Sequence, residues 1–150
     1  MIAQALAAAV AVASFTLHLH AAPERAFPLF DPVNETKWSP QWHPTLLGDR
    51  VEAGLVFLTG EAPHQSVWLL DRYEPSAGRI RYVVTSPAIL TTIDIAVAAD
   101  GPGRSLATVT YRRTATAEDG RGAVEAFAAH GAAHFADWEP AINTVLDAGT

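Results

Sequence analysis

Residues 118–148 read EDGRGAVEAFAAHGAAHFADWEPAINTVLDA, an alanine-rich segment that lacks the alternation of a strand. Alanine has the highest helix propensity, so this composition predicts a helix, by far the longest in the chain. On an ideal helix the bulky apolar side chains share one stripe with a glycine at its centre. The stripe consists of Val124, Phe127, Gly131, Phe135, Trp138 and Ile142. We expect it to lie on a sheet.

The middle of that stripe carries almost no side-chain volume. Four alanines surround Gly131 on the helix, and a glycine inside a helix costs about 1 kcal/mol relative to alanine. Two interpretations stay open: a large side chain of the sheet fills the gap, or the gap is part of a cavity. Further along, Pro140 has no N–H to donate, which predicts a kink in the last turns.

The sequence before this helix alternates in the way of β-strands. In SFTLHLH, residues 14–20, apolar and polar residues follow one another with the period of a half-buried strand. Five further strand runs lie between residues 51 and 116, and their short connections, rich in Gly, Pro and Asp, require antiparallel pairing. Residues 22–38 predict two short helices, with Pro23 and Pro32 at first helical positions.

Composition limits the classes of protein to which the chain can belong. Its 150 residues are 49% hydrophobic and 17% charged, which fits one globular domain. The net charge of −6 argues against a nucleic-acid partner, and nine arginines with a single lysine form no basic cluster for an anionic membrane. Without cysteine there is no disulfide, thiol nucleophile or thiolate metal site.

The first thirteen residues, MIAQALAAAVAVA, are apolar and allow two interpretations. The small residues before Ser14 resemble a signal-peptidase site, which would make them an export signal. However, no Lys or Arg precedes the apolar run, and it is too short to span a bilayer. We therefore predict an N-terminal extension at 1–13, one domain at 14–150 and a cytoplasmic location, with export if the extension acts as a signal.

Residues 34–44, NETKWSPQWHP, are named the Trp loop below. Proline keeps this segment from forming a continuous helix. In an extended chain alternate residues share a side, so Trp38, Pro40, Trp42 and Pro44 would form one apolar ridge. We predict that both indoles turn toward the C-terminal helix and that at least one lines a cavity. Two exposed indoles would instead indicate a contact patch for a partner.

The order of strand, two short helices, antiparallel strands and long C-terminal helix resembles the START-like helix-grip superfamily over residues 14–147. This superfamily, also called SRPBCC, includes polyketide cyclases and lipid-transfer domains. FPLFDPVNETKWSPQWHP at 27–44, with an acid before W-x-P-x-W, and FADWEPAIN at 135–143 resemble a bacterial subgroup. The resemblance implies an α+β fold in which a curved antiparallel sheet wraps around the C-terminal helix. It also implies a hydrophobic ligand between the two, with Trp38 and Trp42 near the entrance.

Aromatic residues supply most of the predicted ligand site. Tyr82 and Tyr111 each share a strand face with apolar neighbours. A buried tyrosine needs a partner for its hydroxyl, and the protein backbone, water or a ligand would serve. The predicted ligand-binding residues are Trp38, Trp42, Phe57, Trp68, Tyr82, Tyr111, Phe127, Gly131, His134, Phe135 and Trp138.

Few residues could carry chemistry. His134 borders the apolar stripe and could be a polar group at the pocket wall or a general base. Glu35 could cap its short helix, pair with Lys37 or Arg25, or act as an acid or base in the pocket; structural pairing is the favoured interpretation. The catalytic candidates are His134, Tyr82, Tyr111 and Glu35.

A metal site is not predicted. His130, His134 and Asp137 lie close together on the helix, but the glutamate of the zinc motif H-E-x-x-H is missing, and a solvated face explains them. His18 and His20 fit an outward-facing row on the first strand. No Gly-rich phosphate loop is present, so we expect no cofactor.

Two functions are therefore carried forward. The first is binding of a small hydrophobic, lipid- or polyketide-like molecule for transport or sequestration. The second is an enzyme of the polyketide cyclase or dehydratase type, in which the pocket positions a reactive chain and a few side chains move protons. We predict a small hydrophobic molecule as partner and no membrane span, and we leave the oligomeric state open.

Overall fold

One antiparallel sheet of seven strands organises the computed structural model, which describes residues 8–149. Its strands and helices are β1 (Val10–Leu19), α1 (Pro23–Ala26), β2 (Thr45–Leu46), β3 (Val56–Thr59), β4 (Ser66–Glu74), β5 (Arg79–Ser86), β6 (Ile89–Ala99), β7 (Ser105–Ala115), α2 (Arg121–His134) and α3 (Trp138–Ala148). Short 3₁₀ helices lie at Phe27–Phe30, Asn34–Lys37, Pro75–Ala77 and Glu118–Gly120. The strand order is β1-β7-β6-β5-β4-β3-β2, so the first strand pairs with the last, and α2 and α3 return beside it. The predicted α+β architecture is confirmed.

Strand β1 follows the predicted alternation but starts earlier than predicted. Leu17 and Leu19 are buried, whereas His18 and His20 are exposed. The strand begins at Val10 rather than Ser14, because β7 is long enough to continue the pairing, with Val10 opposite Thr114. Residues 10–13 are therefore strand. The rest of the predicted extension includes residues 1–7, which lie outside the described part of the chain, so its interpretation as a signal or short helix remains a prediction.

The central strands form the inner face of the core through the same period of two. Ile80, Tyr82 and Val84 of β5 are buried, and Ile93 and Tyr111 lie in register with them on β6 and β7. The sequence pattern thus predicts which face of each of these strands meets the helices.

The C-terminal helix is interrupted rather than kinked. Residues 135–137 separate α2 from α3. The reason is Pro140, whose ring would clash with the carbonyl of Ala136 in a continuous helix. In the first turn of α3 a proline is tolerated because backbone N–H groups there have no intrahelical partner. The apolar stripe still faces inward, and Trp138 is its one partly exposed residue.

The gap around Gly131 is filled from its own helix. A Cβ atom on Gly131 would lie 3.1 Å from the ring of Phe127, one turn earlier. Neither of the two predicted explanations holds, because the Phe127 ring folds back over the glycine. The small residue therefore gives room to a neighbouring side chain.

Helix α3 covers the free edge of β1, and we call this arrangement the β1–α3 contact. The Glu139 carboxylate accepts a hydrogen bond from the backbone N–H of His18 at 2.6 Å. Asn143 accepts one from the backbone N–H of His20 and donates one to the carbonyl of His18, both at 2.9 Å. The four-residue spacing on the helix matches the two-residue spacing on the strand.

No helix within residues 8–149 has the length and apolar character needed to cross a membrane.

Candidate functional site

The Trp loop is held by a buried aspartate. Asp31, only 5% exposed, accepts hydrogen bonds from the backbone N–H groups of Val33 and Asn34 at 2.9 and 2.7 Å, and from the Asn34 amide at 2.7 Å. These bonds start the 3₁₀ helix Asn34–Lys37, which carries Glu35. Local hydrogen bonding by an aspartate thereby fixes the position of a second acid.

The two indoles of the Trp loop do not share one side. Trp38 Nε1 donates to the Leu29 carbonyl and Trp42 Nε1 to the Pro32 carbonyl, each at 2.7 Å. Trp38 packs on Trp138 of α3, with ring centroids 5.1 Å apart. The predicted extended ridge is wrong, because a 3₁₀ helix and a turn replace it.

The two indoles accordingly have different neighbours. Trp38 is 7% exposed, turns toward the C-terminal helix as predicted, and lines a cavity. Trp42 packs against Phe57 and Trp68 of the sheet, at 5.9 and 5.1 Å between ring centroids. The expectation that Trp42 also turns toward the helix is therefore wrong.

A cavity lies between the sheet, the Trp loop and the start of α3, and we call it the Glu35 cavity. Its volume is about 20 Å³, which is room for about one water molecule. Its walls are mainly aromatic, with one acid among them. The lining residues are Phe30, Glu35, Trp38, Trp68, Tyr82, Ile93, Ile95, Tyr111 and Trp138.

Glu35 is the unusual member of this lining. Burial, and then the negative charge of Asp31, raise the pKa of Glu35 from 4.5 to about 8. The structural pairing favoured from the sequence does not form. Arg25 instead donates to the carbonyls of Leu146 and Gly149 at the end of α3, and no ion pair or side-chain hydrogen bond to Glu35 occurs among the described residues. The carboxyl is thus a proton donor or acceptor without a partner.

The two cavity tyrosines differ in their hydroxyl groups. Tyr82 donates a hydrogen bond to the Phe30 carbonyl at 2.7 Å, so its hydroxyl holds the loop to the sheet. The hydroxyl of Tyr111 has no hydrogen-bond partner within residues 8–149. Burial first, and then Glu35, raise the pKa of both tyrosines. Both are therefore neutral near pH 7, and only the Tyr111 hydroxyl is available to a ligand.

Other predicted ligand-binding residues surround the cavity without lining it. Phe57 stacks behind Trp68 at 5.3 Å, Phe135 stacks on Phe15 at 4.3 Å, and Arg113 lies 4.5 Å above the Phe127 ring. Together with Trp42, these side chains pack behind the cavity walls, and Gly131 is not among the lining residues. Their assignment to a ligand site remains a prediction.

His134 also lies away from the cavity. It is exposed at the end of α2, near the exposed residues His130 and Asp137. No group of three or more His, Asp or Glu side chains in the described chain is arranged to hold a metal ion. His134 lines an external cleft and is not among the residues that line the Glu35 cavity, so its role in ligand binding remains a prediction.

Sequence reasoning did not assign three of the lining residues. From the sequence, Ile93 and Ile95 could be assigned only to the apolar face of a strand, and Phe30 only to a short helix. The register opposite Tyr82 brings Ile93 to the cavity, since these two residues are paired between β5 and β6. Pairing partners follow from strand register, which alternation alone leaves undetermined.

Comparison with known proteins establishes the fold of this chain. No family model matches the sequence, and no curated protein does. Among solved structures, norcoclaurine synthase from Thalictrum flavum, in complex with dopamine and hydroxybenzaldehyde, superposes with a TM-score of 0.71 at 13% identity, covering 100% of this chain and 97% of that one. The chain has the helix-grip fold, in which an antiparallel sheet packs around the C-terminal helices.

Two further helix-grip structures are similar over nearly their whole length. A START superfamily protein from Mycobacterium smegmatis gives a TM-score of 0.67 at 15% identity, covering 93% of this chain and 99% of that one. The Zhui aromatase/cyclase from Streptomyces sp. R1128 gives 0.68 at 15% identity, covering 92% and 94%. At such identities the likeness establishes the fold alone, so the chemistry has to follow from this chain's own residues.

Within this helix-grip frame, aromatic side chains fill most of the space between sheet and helices. Among the polar side-chain groups of the lining residues, the Glu35 carboxyl, the Tyr111 hydroxyl and the Trp138 indole N–H form no hydrogen bond within residues 8–149. A protonated carboxyl in apolar surroundings can donate a hydrogen bond to a ligand oxygen or transfer its proton. The arrangement is thus equipped for recognising one polar group on an otherwise apolar molecule.

Proposed function

We propose that the protein binds a small ring-bearing hydrophobic molecule with one oxygen function, for transport or sequestration, and that Glu35 is its polar contact. The observation that carries this proposal is the unpaired Glu35 carboxyl in an aromatic wall. A buried polar group without a partner costs about 1–3 kcal/mol. A ligand that accepts a hydrogen bond from Glu35 offsets that cost.

The size and walls of the cavity favour a flat ring over a long acyl chain. About 20 Å³ is available before any side chain moves. A ring needs the displacement of one aromatic wall, whereas an acyl chain needs a rearrangement of the whole core. The norcoclaurine synthase structure contains two single-ring compounds, dopamine and hydroxybenzaldehyde, which supports a ring-sized ligand for this fold.

Calorimetric titration with 4-methylphenol and toluene tests the proposal. The two probes have a similar ring, but only 4-methylphenol carries an oxygen. We expect 4-methylphenol to bind about tenfold more tightly, which is the effect of one hydrogen bond. Glu35→Leu should remove this difference, while the exposed control Glu52→Gln should keep it.

Two results would contradict the proposal. One is the absence of binding by both probes, with folding verified by circular dichroism. The other is an unchanged preference for 4-methylphenol in Glu35→Leu, which would move the polar contact elsewhere in the cavity.

A second candidate function is acid–base catalysis of the cyclase or dehydratase type, and the pKa of Glu35 favours it. A carboxyl with a pKa of about 8 holds its proton at neutral pH and is ready to release it. The Tyr111 hydroxyl could orient a carbonyl beside it. The similarity to a structure described as an aromatase/cyclase is consistent with this candidate.

Dehydration of 4-hydroxy-4-phenylbutan-2-one to the conjugated enone and water provides an absorbance assay for it. If Glu35 protonates the departing hydroxyl and its carboxylate then accepts the proton released from C3 of the substrate, Glu35→Gln should lower kcat by about 10²–10⁴ with little change in KM. The amide keeps the volume and can donate a hydrogen bond, but it carries no transferable proton. Turnover should fall above pH 8 as Glu35 ionises. No turnover by the wild type, or equal kcat in the variant, would contradict the enzymatic candidate and leave the binding proposal standing.

A further inference from the structure

An external cleft lies on the other side of the cavity wall, and we call it the outer cleft. Its volume is about 310 Å³. Trp38 and Trp138 line both the outer cleft and the Glu35 cavity. Their rings, with centroids 5.1 Å apart at an angle of 61°, form the partition between the two spaces. A molecule that displaces one indole would therefore occupy both.

Trp138 is the member of this partition whose indole N–H forms no hydrogen bond within residues 8–149, and it is held by ring contacts with Phe15, Trp38, Tyr111 and Phe135. Trp38 Nε1 is bonded to the Leu29 carbonyl, and Trp68 Nε1, elsewhere in the cavity wall, is bonded to Thr59 Oγ1 at 2.9 Å. The Trp138 indole N–H has no hydrogen-bond partner in the described part of the chain. Trp138 is also the first residue of α3, directly after the interruption at 135–137, and is half-buried.

The outer cleft offers a different chemistry from the cavity. Gln41, His134 and Asp137 line it with exposed side chains that form no hydrogen bond to any residue within 8–149. These groups present both donors and acceptors, as a hydroxyl group requires. The lining contains a carboxylate but no Lys or Arg, so it disfavours an anionic group.

We infer that the outer cleft is a second subsite, which binds an uncharged, hydroxyl-bearing tail of the ligand while its ring occupies the Glu35 cavity. The ligand class is thus a ring joined to a polar tail, and Trp138 moves aside where the two parts meet. This inference rests on the proposed function, since the ring must first bind beside Glu35. Glu35 forms a hydrogen bond with the oxygen on the ring, and the side chains of the outer cleft form hydrogen bonds with the tail.

Titration with 3-(4-hydroxyphenyl)propan-1-ol beside 4-methylphenol tests the subsite. We expect the alcohol to bind at least about tenfold more tightly, corresponding to one or two hydrogen bonds. The double variant Gln41→Ala/Asp137→Ala should lose most of this gain without changing the affinity for 4-methylphenol. The matched control His130→Ala, exposed on α2 outside the cleft lining, should keep the gain. The carboxylate analogue 3-(4-hydroxyphenyl)propanoate should bind more weakly than the alcohol.

The outcomes separate this inference from the proposed function. Binding of 4-methylphenol with no gain from the tail overturns the subsite and leaves the ring site intact. A gain that survives the double variant also overturns the subsite. Failure of both probes to bind overturns the proposed function and the inference with it.

A kinetic measurement tests the role of Trp138. Stopped-flow mixing of Trp138→Ala with 4-methylphenol should give an association rate at least about fivefold above that of the wild type, because the displaceable wall is absent. The association rate for Trp138→Phe, which keeps a smaller ring, should lie between those of Trp138→Ala and the wild type. If the alanine variant does not fold, Trp138→Phe is compared with the wild type instead. Association rates equal to the wild type in a folded variant overturn the assignment of Trp138 as the moving wall.

Discussion

The β1–α3 contact and the Glu35 cavity use polar groups in opposite ways. At the contact, Glu139 and Asn143 satisfy backbone groups of His18 and His20, and His20 also pairs with Asp147 at 3.0 Å. In the cavity, the carboxyl of Glu35, the hydroxyl of Tyr111 and the indole N–H of Trp138 have no partner in the described chain. Both regions join the helices to the sheet, but these polar groups have hydrogen-bond partners only at the β1–α3 contact.

The difference indicates which region is structural and which is functional. Natural proteins leave few buried polar groups without partners, because each one lowers stability. Sites that break this rule are commonly sites of function, where the missing partner is a ligand. Removal of a polar side-chain group should therefore be costly at the contact, and tolerated or beneficial for those cavity groups that have no hydrogen-bond partner. Three measurements, in order of decreasing effect, test this division.

The largest effect is expected from Asn143→Ala at the contact. The substitution leaves the His18 carbonyl and the His20 N–H without their side-chain partner and also removes buried volume. We expect the free energy of unfolding to fall by about 3 kcal/mol, measured by urea denaturation. Thr144→Ala on the exposed side of the same helix is the control and should change it by less than about 0.5 kcal/mol. Equal effects of the two substitutions would remove the structural role assigned to the contact.

The second effect is a loss of stability as the pH rises, caused by Glu35. The native state keeps a proton on Glu35 up to about pH 8, whereas the unfolded chain releases it near pH 4.5. The native state thus binds more protons in this window, so the free energy of unfolding decreases from pH 4.5 to 8. The full change in pKa corresponds to about 5 kcal/mol; because Glu35 is partly exposed to solvent, we expect a decrease on the order of 3 kcal/mol. The difference between wild type and Glu35→Gln, measured by urea denaturation across this range, isolates the contribution.

Glu35→Gln should therefore become more stable than the wild type at pH 8 and above. Glu52→Gln, at an exposed position, should follow the wild-type curve. Parallel curves for the wild type and Glu35→Gln would mean that Glu35 titrates like a solvated acid, and the contrast between the two regions would lose its main support.

Much of the fold could be predicted because it depends on patterns that repeat along the chain. The alternation in β5, β6 and β7 predicts which side chains are buried, and the stripe on the C-terminal segment predicts the face that meets them. Interruption of that helix could be anticipated from Pro140, although its position at 135–137 depends on where the first turn of α3 forms. The early start of β1 depends on the length of its partner, which alternation in β1 does not reveal.

The site was less predictable because it depends on contacts between distant residues. Glu35 has potential partners nearby in sequence, Lys37 and Arg25, and a local pattern therefore favours pairing. Arg25 is instead used at the end of α3, more than a hundred residues away. The Trp loop then carries Glu35 to the cavity, where its carboxyl is left without a partner. Sequence patterns predicted the aromatic walls but not the state of this acid.

Tyr82 and Tyr111 are a second case in which the sequence does not reveal the contacts of a side chain. They also provide the most direct test, with the smallest expected change in stability. Both lie on apolar strand faces, so the sequence does not distinguish them, but only the Tyr82 hydroxyl has a partner, the Phe30 carbonyl. Tyr82→Phe should lower the free energy of unfolding by about 1–2 kcal/mol, because it leaves that buried carbonyl unsatisfied. Tyr111→Phe should change it by less than about 0.5 kcal/mol, because no hydrogen bond within the protein is lost. The two variants remove the same atom from two buried rings, so thermal and urea denaturation compare them without correction for volume. A large loss in Tyr111→Phe would mean that its hydroxyl serves the fold, and the cavity would then be a second structural contact rather than a site that awaits a ligand.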